Sequence, residues 1–349
     1  MIKNLIDKYK NHRKQQHLNY PTSYTKNFAF VGVGNHSISN LYPCLDYLAV
    51  PIKYICTRKP ANAQKMAKRY GAKAIELNDL AADSSISGVF VCASPNSHFT
   101  ICKTLLENGK SVFVEKPPCT SLKELDILQK LANQNELECV VGLQKRYAPI
   151  YNILKKNTYK NTLSYSFKYL TGAYPEGDAL WDLFVHPLDI LVFLFGGIEN
   201  FELKTNQKGK NQTLFLLTEH QNGVVGQVEL STDYSWNQAK EELFVNTLNG
   251  NYQAEGLHKL TFTPKSASIL GIPIEKIIKQ NSKKEILYQV SDFVPISAHN
   301  SLFVQGYFQE IETFTQLVEG KRNKNNNKSS LKVIRATFKW IEDIENQLK

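Results

Sequence analysis

Three side chains of this sequence have the chemistry that proton transfer needs. Lys116 follows a short apolar run and precedes Pro117 and Pro118, which stiffen the backbone and prevent a helix there. Asp182 and His186 stand four residues apart in a segment that we predict to be helical, so they share one helix face. A lysine cation lowers the pKa of a neighbouring hydroxyl, and an imidazole takes up or returns its proton. We therefore predict a catalytic set of Lys116, Asp182 and His186, in which Asp182 orients the ring or binds a nearby hydroxyl.

Other interpretations of these residues remain open. Lys116 could be an ordinary surface lysine, and His186 could cap the start of a buried helix. Asp182 and His186 could also provide two metal ligands, but no third ligand is evident, and we predict no metal site. Asp189 lies one helical turn beyond His186 and either bonds the imidazole or faces water. We assign it no direct role.

A glycine-rich turn near the start of the chain is suited to a dinucleotide. Gly32-Val33-Gly34 follows an apolar run and precedes a predicted helix. Glycine lets the backbone approach a pyrophosphate, and a helix N-terminus offers amides and a positive dipole. Ser37 stands at the third glycine position of G-x-G-x-x-G and is small enough to leave the phosphate its space. We predict that the loop binds a cofactor through Gly32, Gly34, Asn35, His36 and Ser37, which favours hydride transfer over hydrolysis.

The cofactor type depends on the end of the second predicted strand. An acid commonly stands there and accepts hydrogen bonds from the ribose hydroxyls of NAD. This chain has Thr57, Arg58 and Lys59 instead, a hydroxyl and two cations that suit a 2′-phosphate. We predict NADP as the cofactor, with NAD as the alternative. The two cations could also be ordinary solvated surface charges with no role in binding.

Two later segments complete the predicted cofactor site. The run 88–94 ends in a turn that begins a helix, and the run 111–115 leads into the lysine described above. We expect His98, in the first turn of that helix, either to contact the cofactor or to serve as a packing histidine. The predicted cofactor-binding residues in these segments are Ser94, Pro95, Asn96, His98, Glu115 and Lys116.

Composition limits the possible classes of protein. With 349 residues and 42% hydrophobic content, the chain can form two domains of ordinary size. The net charge is +10, of which residues 1–26 contribute +5 and residues 321–330 contribute +4. Because neither segment interleaves aromatics in a recognised binding motif, we expect no nucleic-acid partner, and we expect no membrane partner either. The six cysteines have no paired spacing, and no run of about 18 apolar residues occurs, so we expect a soluble cytoplasmic protein without disulfides.

The hydrophobic pattern predicts an α/β fold. Continuous apolar runs at 28–34, 52–57, 88–94, 111–115 and 138–143 alternate with helix-length segments, as in a doubly wound parallel sheet, the Rossmann arrangement. After residue 147 the apolar residues alternate, which predicts an α+β domain with a large, mostly antiparallel open sheet. We predict a basic N-terminal extension at 1–27, a dinucleotide-binding domain at 28–146 and a substrate-binding and oligomerisation domain at 147–349. The extension forms an amphipathic helix that packs on the body or on a partner subunit.

Together these motifs resemble the Gfo/Idh/MocA family of oxidoreductases, over residues 28–345. The resemblance rests on Gly32-Val33-Gly34, Ser94-Pro95-Asn96 with His98, Glu115-Lys116-Pro117, the segment Gly142-Leu143-Gln144-Lys145-Arg146-Tyr147, and Asp182 with His186. It implies a nicotinamide cofactor, Lys116, Asp182 and His186 as the catalytic set, and a hydroxyl-rich sugar, cyclitol or polyol substrate. It also implies an open sheet that often serves oligomerisation, and hence a homodimer or homotetramer.

Further predictions rest on position and on departures from the family pattern. By position, we expect Arg146, Tyr147, Tyr174 and Trp181 to line the substrate pocket. Ser37, Thr57 and residues 1–27 depart from the family pattern. Two other functions remain open: a non-catalytic sensor of a dinucleotide or sugar on the same scaffold, and a lyase or glycosidase that oxidises and re-reduces its substrate with no net cofactor turnover.

Overall fold

The computed structural model describes residues 2–18, 24–158, 160–175, 177–209, 211–278, 283–294, 297–323 and 327–349. The chain forms two compact units. The first contains residues 1–120, 126–142 and 310–330, and the second contains residues 121–125, 143–309 and 331–349. We predicted a domain boundary at residue 146. In the structure, the first unit ends there at residue 142, and it also includes residues 310–330 from late in the chain.

The helices of both units follow in chain order. They are α1 (Ile2–Leu18), α2 (Tyr42–Tyr47), α3 (Pro60–Tyr70), α4 (Leu77–Ala82), α5 (Pro95–Glu107), α6 (Leu122–Gln134), α7 (Pro149–Thr158), α8 (Val185–Phe195), α9 (Ser301–Val304), α10 (Tyr307–Val318) and α11 (Leu331–Leu348). Two π-helical segments, Ser37–Leu41 and Ala179–Phe184, lead directly into α2 and α8. The division between the units falls inside α6 and α10.

The first unit contains the predicted Rossmann sheet. Its strands are β1 (Asn27–Val31), β2 (Ile52–Cys56), β3 (Lys73–Ala74), β4 (Ile86–Val91), β5 (Ser111–Glu115) and β6 (Cys139–Gly142). All pairs are parallel, in the order β3-β2-β1-β4-β5-β6. The strand order reverses between β1 and β4, and in such sheets ligands bind outside the carboxyl ends of the strands at that point.

A cluster of aromatic rings covers one face of this sheet. Phe28, Phe90 and Phe113 lie on β1, β4 and β5, and Phe314 on α10 packs against all three, with ring centroids 5.0 to 6.3 Å apart. All four side chains are fully buried. A Cβ on Gly88 would lie 2.8 Å from the Phe28 ring, so only glycine fits beside it. This packing explains why residues 310–330 belong to the first unit.

The second unit contains the predicted open sheet. Its strands are β7 (Thr162–Gly172), β8 (Ile198–Lys208), β9 (Asn211–His220), β10 (Val225–Tyr234), β11 (Lys240–Thr247), β12 (Gly250–Glu255), β13 (Lys259–Pro264) and β16 (Glu285–Gln289). They pair in the order β16-β13-β12-β11-β7-β10-β9-β8, antiparallel except for β7 with β10. The short strands β14 (Ser268–Ile269) and β15 (Ile272–Pro273) pair separately. One face carries exposed apolar side chains, which we call the outer face: Phe215, Leu217, Val225 and Phe244.

The predicted N-terminal helix is present as α1. The predicted apolar stripe of Ile2, Leu5, Ile6 and Tyr9 is exposed, with Ile6 the least exposed at 46%. Within the described ranges, none of the helices combines the length and apolar composition that crossing a membrane requires.

A single carboxylate holds the start of β1 to the end of α10. Glu319 accepts hydrogen bonds from the Thr25 and Lys26 amides at 2.9 and 2.8 Å and from the Thr25 hydroxyl at 2.9 Å. Burial alone would raise the pKa of this carboxyl, but these hydrogen bonds outweigh burial and lower it. The carboxylate therefore stabilises the fold most when it is ionised.

We expect Glu319→Gln to lower the free energy of unfolding by about 1–3 kcal/mol at neutral pH, because a charged acceptor of several hydrogen bonds is lost. Since the folded-state pKa is lowered, the contribution is present above the ordinary glutamate pKa and disappears as the pH falls through the folded-state value. Urea unfolding at several pH values measures both effects. Glu107→Gln, at an exposed pair with Lys103, is the matched control, with an expected change below about 0.5 kcal/mol. An equal loss at acidic pH would contradict the assignment.

Candidate functional site

The first unit has a cavity of about 400 Å³ at the carboxyl ends of β1, β2 and β4. It is the location at which a doubly wound sheet binds a nucleotide. Seven of the residues predicted to bind the cofactor line it together: Gly32, Gly34, Asn35, His36, Thr57, Arg58 and Ser94. The structure thus brings the glycine loop together with the ends of the two neighbouring strands.

The two glycines of the loop have different roles. Gly32 has φ +109°, and a Cβ there would lie 2.0 Å from the Cys92 carbonyl oxygen, so no other residue fits. A Cβ on Gly34 would have no heavy atom within 4 Å, so this position borders open space in the cavity. A backbone that approaches the cavity without side chains is what a dinucleotide pyrophosphate requires. These residues therefore fit the predicted cofactor.

Ser37 shapes the loop from inside. Its side chain is fully buried, and its hydroxyl donates to the Gly34 carbonyl oxygen at 2.9 Å and accepts from the Gly34 amide at 3.0 Å. The helix that follows starts as the π-helical segment Ser37–Leu41. The structure therefore places Ser37 within the turn, in contrast to the predicted direct contact with the cofactor.

The end of the cavity next to β2 contains both a cation and an acid. Arg58 donates from Nη2 to the Ser94 hydroxyl at 3.0 Å. Glu76, just before α4, lines the same cavity, and sequence reasoning missed it. Lys59 immediately precedes α3, and Pro95 and Asn96 form the first turn of α5. Arg58 is suited to a 2′-phosphate and Glu76 to ribose hydroxyls, so both types of dinucleotide have a polar partner here.

The carboxylate of Glu115 occupies a confined position at the end of β5. Its Oε1 lies 3.1 Å from His36 Nε2, and the side chain is almost fully buried. A Cβ on Gly142 would lie 2.8 Å from this carboxylate, which explains the glycine that starts the segment 142–147. Burial lowers the pKa of His36, but the hydrogen bond and charge of Glu115 outweigh burial and raise it, against an opposing contribution from Lys116.

His98 has the contacts of a packing histidine, one of its two predicted roles. It is 1% exposed, and its Nδ1 and Nε2 lie 2.8 and 3.0 Å from the carbonyl oxygens of Pro117 and Ala93. Burial lowers its pKa, although both carbonyls oppose this. The ring thus joins the exit of β4 to the exit of β5, where the half-buried Lys116 stands before a cis peptide bond to Pro117. Both of its nitrogens face the backbone instead of a ligand.

The second unit has a cavity of its own, of about 710 Å³, and His186 lines it. Lys145 also lines it and donates to Glu241 at 2.5 Å, with its ammonium 4.9 Å from the Tyr169 ring centre. Tyr151 donates to the other oxygen of Glu241 at 2.5 Å. Burial lowers the pKa of Lys145, but Glu241 and Tyr169 outweigh burial and raise it. Sequence reasoning missed this charged group, although Lys145 stands in the quoted segment 142–147.

Asp182 lies on the π-helical segment and His186 in the first turn of α8. The four-residue spacing therefore spans a π-helical segment and the start of an α-helix. Two residues four apart share a face in a continuous α-helix, and that assumption does not hold here. Asp182 Oδ2 accepts from the Asp178 amide at 3.1 Å, and a Cβ on Gly177 would lie 2.1 Å from the same oxygen. The tight turn at Gly177 therefore fixes the carboxylate.

Arg146 is not among the described residues that line the cavity of His186, and it lines a separate cavity of about 500 Å³ in the second unit. Its guanidinium is 1% exposed and forms a two-point ion pair with Asp189, with Nε to Oδ2 at 2.7 Å and Nη2 to Oδ1 at 2.5 Å. Thr337 on α11 also donates to Asp189 at 2.9 Å. The pair is structural, and Asp189 neither bonds the His186 ring nor faces water. Both earlier interpretations of Asp189 are therefore wrong.

The other predicted pocket residues occupy varied positions. Tyr147 is buried, whereas Tyr174 is half-buried and lies close to Gly177. Trp181 packs edge-on against Phe338 of α11, with ring centres 5.4 Å apart. None of these three is among the described residues that line the cavity of the second unit.

Comparison with curated proteins gives partial matches. The putative oxidoreductase YceM of Salmonella typhimurium is 32% identical over 133 residues, which cover 36% of this chain and 43% of that protein. The scyllo-inositol 2-dehydrogenase (NADP(+)) IolU of Bacillus subtilis is 22% identical over 85% of this chain and 96% of its own. The chain spans less than half the length of the first curated relatives it matches.

The fold and one family model agree with these matches. The crystal structure of a dehydrogenase from Chromobacterium violaceum superposes with a TM-score of 0.80 over 93% of this chain and 96% of that chain, at 16% identity, which is a likeness in fold. Residues 26–143 match the GFO_IDH_MocA family model, described as an oxidoreductase family with an NAD-binding Rossmann fold. Over this part of the chain, the sequence is therefore similar to the Gfo/Idh/MocA oxidoreductases.

Proposed function

We propose that this protein is a nicotinamide-dependent oxidoreductase that transfers a hydride between its cofactor and a secondary alcohol or ketone of a sugar, cyclitol or related small polyol. The observation that carries the proposal is the cavity at the switch point of the parallel sheet, where seven predicted cofactor residues meet within a domain that matches the family model. A bound nicotinamide supplies the hydride acceptor or donor.

We propose NADP as the cofactor. Arg58 offers the cavity a fixed cation, and Thr57 stands where an acid would repel a 2′-phosphate. Its relative IolU is named for NADP(+). Glu76 supports NAD as the alternative, because a carboxylate accepts hydrogen bonds from free ribose hydroxyls.

We propose that Lys116, Asp182 and His186 carry the proton. His186 borders the cavity of the second unit and exchanges the proton of the substrate hydroxyl. Lys116 lowers the pKa of that hydroxyl, and its backbone is held by the His98 bond to Pro117. Asp182 is fixed by the turn at Gly177 and has a carboxylate oxygen oriented by the Asp178 amide, so it serves to orient the ring or a substrate hydroxyl.

The charge of the second cavity supports an uncharged substrate. Four carboxylates and two lysines line it: Glu241, Glu242, Glu255, Asp292, Lys145 and Lys240. Both lysines are paired with carboxylates, at 2.5 and 2.9 Å. An anionic sugar would therefore meet excess negative charge, whereas the hydroxyls of a neutral polyol find acceptors.

We propose that two copies of the chain associate through the outer face of the open sheet. Phe215, Leu217, Val225 and Phe244 expose 43 to 58% of their surface there. Phe215, Leu217 and Val225 are neighbours on β9 and β10, and Phe244 lies on the same face on β11, beyond β7. Exposed apolar side chains on one sheet face favour association with a symmetric partner.

The cofactor assignment is tested by Arg58→Ala. We expect NADPH to bind about 10- to 100-fold more weakly, because a charged hydrogen-bonding partner of the phosphate is lost, while NADH affinity changes by less than about threefold. Calorimetric titration measures both. Arg69→Ala, an exposed arginine of α3 that stacks on Tyr70, is the control. If Glu76→Gln weakens NADH while Arg58→Ala leaves NADPH unaffected, NAD is the cofactor.

The catalytic assignment is tested by His186→Gln. We expect kcat to fall about 10²- to 10⁴-fold while cofactor affinity is unchanged, because proton transfer is lost and the nucleotide cavity is intact. Nicotinamide absorbance with inositols and neutral hexoses, compared with sugar phosphates and uronic acids, measures turnover and charge preference. His12→Gln on α1 is the control. Full activity of His186→Gln refutes the assignment, and product formed with no net cofactor change indicates the lyase or glycosidase alternative.

The association is tested by Phe244→Glu. A buried charge on the outer face should convert the oligomer into monomers, which light scattering during size-exclusion chromatography detects. Ile277→Glu places the same charge at an exposed apolar residue outside that sheet face and should leave the particle mass unchanged. A monomeric wild type would refute the proposal.

A further inference from the structure

The cavity of the second unit contains an exposed tryptophan that proton transfer does not use. Trp236 begins the 3₁₀-helical turn Trp236–Gln238, just after β10, and lines the same cavity as His186. The residue is 55% exposed. The chain has two other tryptophans, of which Trp340 is 1% exposed and Trp181 packs edge-on against Phe338. Trp236 is therefore the tryptophan that offers this cavity a wide apolar surface.

The end of β7 holds this indole in place. Its Nε1 donates to the Ala173 carbonyl oxygen at 3.0 Å. A Cβ on Gly172 would lie 2.6 Å from Cδ1 and 3.0 Å from Nε1 of the same ring, so the ring lies directly against the glycine backbone. Both of these atoms belong to the five-membered ring of the indole. The five-membered ring is therefore anchored on β7, and the six-membered ring extends away from the anchor.

An anchored and exposed indole is suited to binding. A side chain that is already held by a hydrogen bond and by the backbone loses little conformational entropy when a ligand covers it. Covering the indole also removes apolar surface from water, which is favourable. The same cavity offers hydrogen-bond acceptors from the carboxylates of Glu255 and Asp292. It therefore combines one fixed aromatic surface with polar groups, as ligand pockets for small molecules do.

A six-membered polyol ring with equatorial hydroxyls has two unlike parts that match this combination. Its hydroxyls lie around the edge of the ring, where carboxylate oxygens can accept their hydrogen bonds. Its axial C–H groups cover the two faces of the ring, and such an apolar face packs well on an aromatic ring. An acyclic polyol directs hydroxyls to all sides and has no continuous C–H face. The indole therefore distinguishes the two kinds of polyol, whereas the carboxylates alone do not.

We infer that Trp236 is a specificity-determining residue, on which the C–H face of the substrate ring stacks, and that it selects six-membered rings with equatorial hydroxyls over acyclic polyols of the same size. The inference rests on the proposed function, because it requires that the substrate of the oxidoreductase occupies this cavity. Gly172 and Ala173 are then positioning residues, which act on the substrate through the indole.

The kinetic test compares the wild type with Trp236→Ala on two ring compounds, scyllo-inositol and methyl β-D-glucopyranoside, and on the acyclic sorbitol. Trp236→Ala should raise KM for the ring compounds about 5- to 20-fold, because the stacking surface is lost. The kcat values should stay within about threefold, since stacking contributes equally to the ground state and the transition state. For sorbitol, kcat/KM should change by less than about twofold. Nicotinamide absorbance measures all of these values.

A second variant separates stacking from a structural role of the indole. Trp236→Phe keeps an aromatic face but lacks the N–H that bonds Ala173. If stacking is the role, its KM for the ring compounds should lie within about threefold of the wild type. If the hydrogen bond alone matters, the Phe and Ala variants should lose equally, and this result would overturn the inference. Tyr9→Ala removes a 62% exposed aromatic of α1 and is the matched control, with wild-type kinetics expected.

Tryptophan fluorescence measures binding without turnover. Acrylamide should quench mainly Trp236, because Trp340 is buried and Trp181 is packed against Phe338. Both ring compounds should reduce this quenching in the wild type, whereas sorbitol should not, and the reduction should be absent in Trp236→Phe. The titrations are run without cofactor and with NADPH, since an alcohol cannot react with the reduced cofactor.

The outcomes distinguish this inference from the proposed function. If Trp236→Ala turns over the ring compounds with the KM of the wild type, the inference is overturned and the proposed function stands. Unchanged quenching of Trp236 with both ring compounds also overturns the inference. If none of the three compounds changes the nicotinamide absorbance with the wild type, the proposed function fails, and the quenching of Trp236 then decides by itself whether the cavity binds ring polyols.

Discussion

The buried carboxylate of Glu115 constrains much of the first unit. A buried carboxylate needs polar neighbours, and here Nε2 of His36 lies 3.1 Å from its Oε1. The same carboxylate excludes any side chain at Gly142, which fixes how closely β5 and β6 approach at their carboxyl ends. One charge therefore couples the glycine loop, the exit of β5 and the end of β6. Lys116 is the next residue in the chain, so the same contacts restrict the position of its backbone.

His98 completes that arrangement without charge pairing. Its ring lies between the carbonyl oxygens of Ala93 and Pro117, which belong to the exits of two adjacent parallel strands. Because burial lowers the pKa of His98, the neutral ring has one N–H and donates to only one of these carbonyl oxygens, while its other nitrogen packs beside the second. The imidazole thus fixes the spacing between the cofactor-side turn and the residue after Lys116. The second unit also pairs its buried polar groups locally, but it uses an ion pair. Asp189 of α8 and Arg146 of the segment 142–147 neutralise each other.

The parallel sheet and the cavity beside its glycine loop were predictable from sequence, because parallel strands buried on both faces are apolar throughout and glycines mark the turn. The partners of individual side chains were not. From its place in the sequence, Arg146 was predicted to lie near the site. The sequence could not show that its guanidinium pairs with Asp189. Glu76 was missed because it is 19 residues beyond Thr57, although β3 pairs with β2 and parallel strands end at the same edge. The return of Phe314 to the first sheet is a long-range contact that leaves no local pattern.

The two cavities differ in the balance of their charges. Among the described residues that line the cavity of the first unit, Arg58 and Glu76 offset each other, and His36 lies beside the buried Glu115 carboxylate. In the cavity of the second unit, the described carboxylates outnumber the lysines, and each of the two lysines is already paired with a carboxylate. The first cavity is therefore close to neutral and the second has an excess of negative charge, so anions are disfavoured more strongly by the second cavity than by the first.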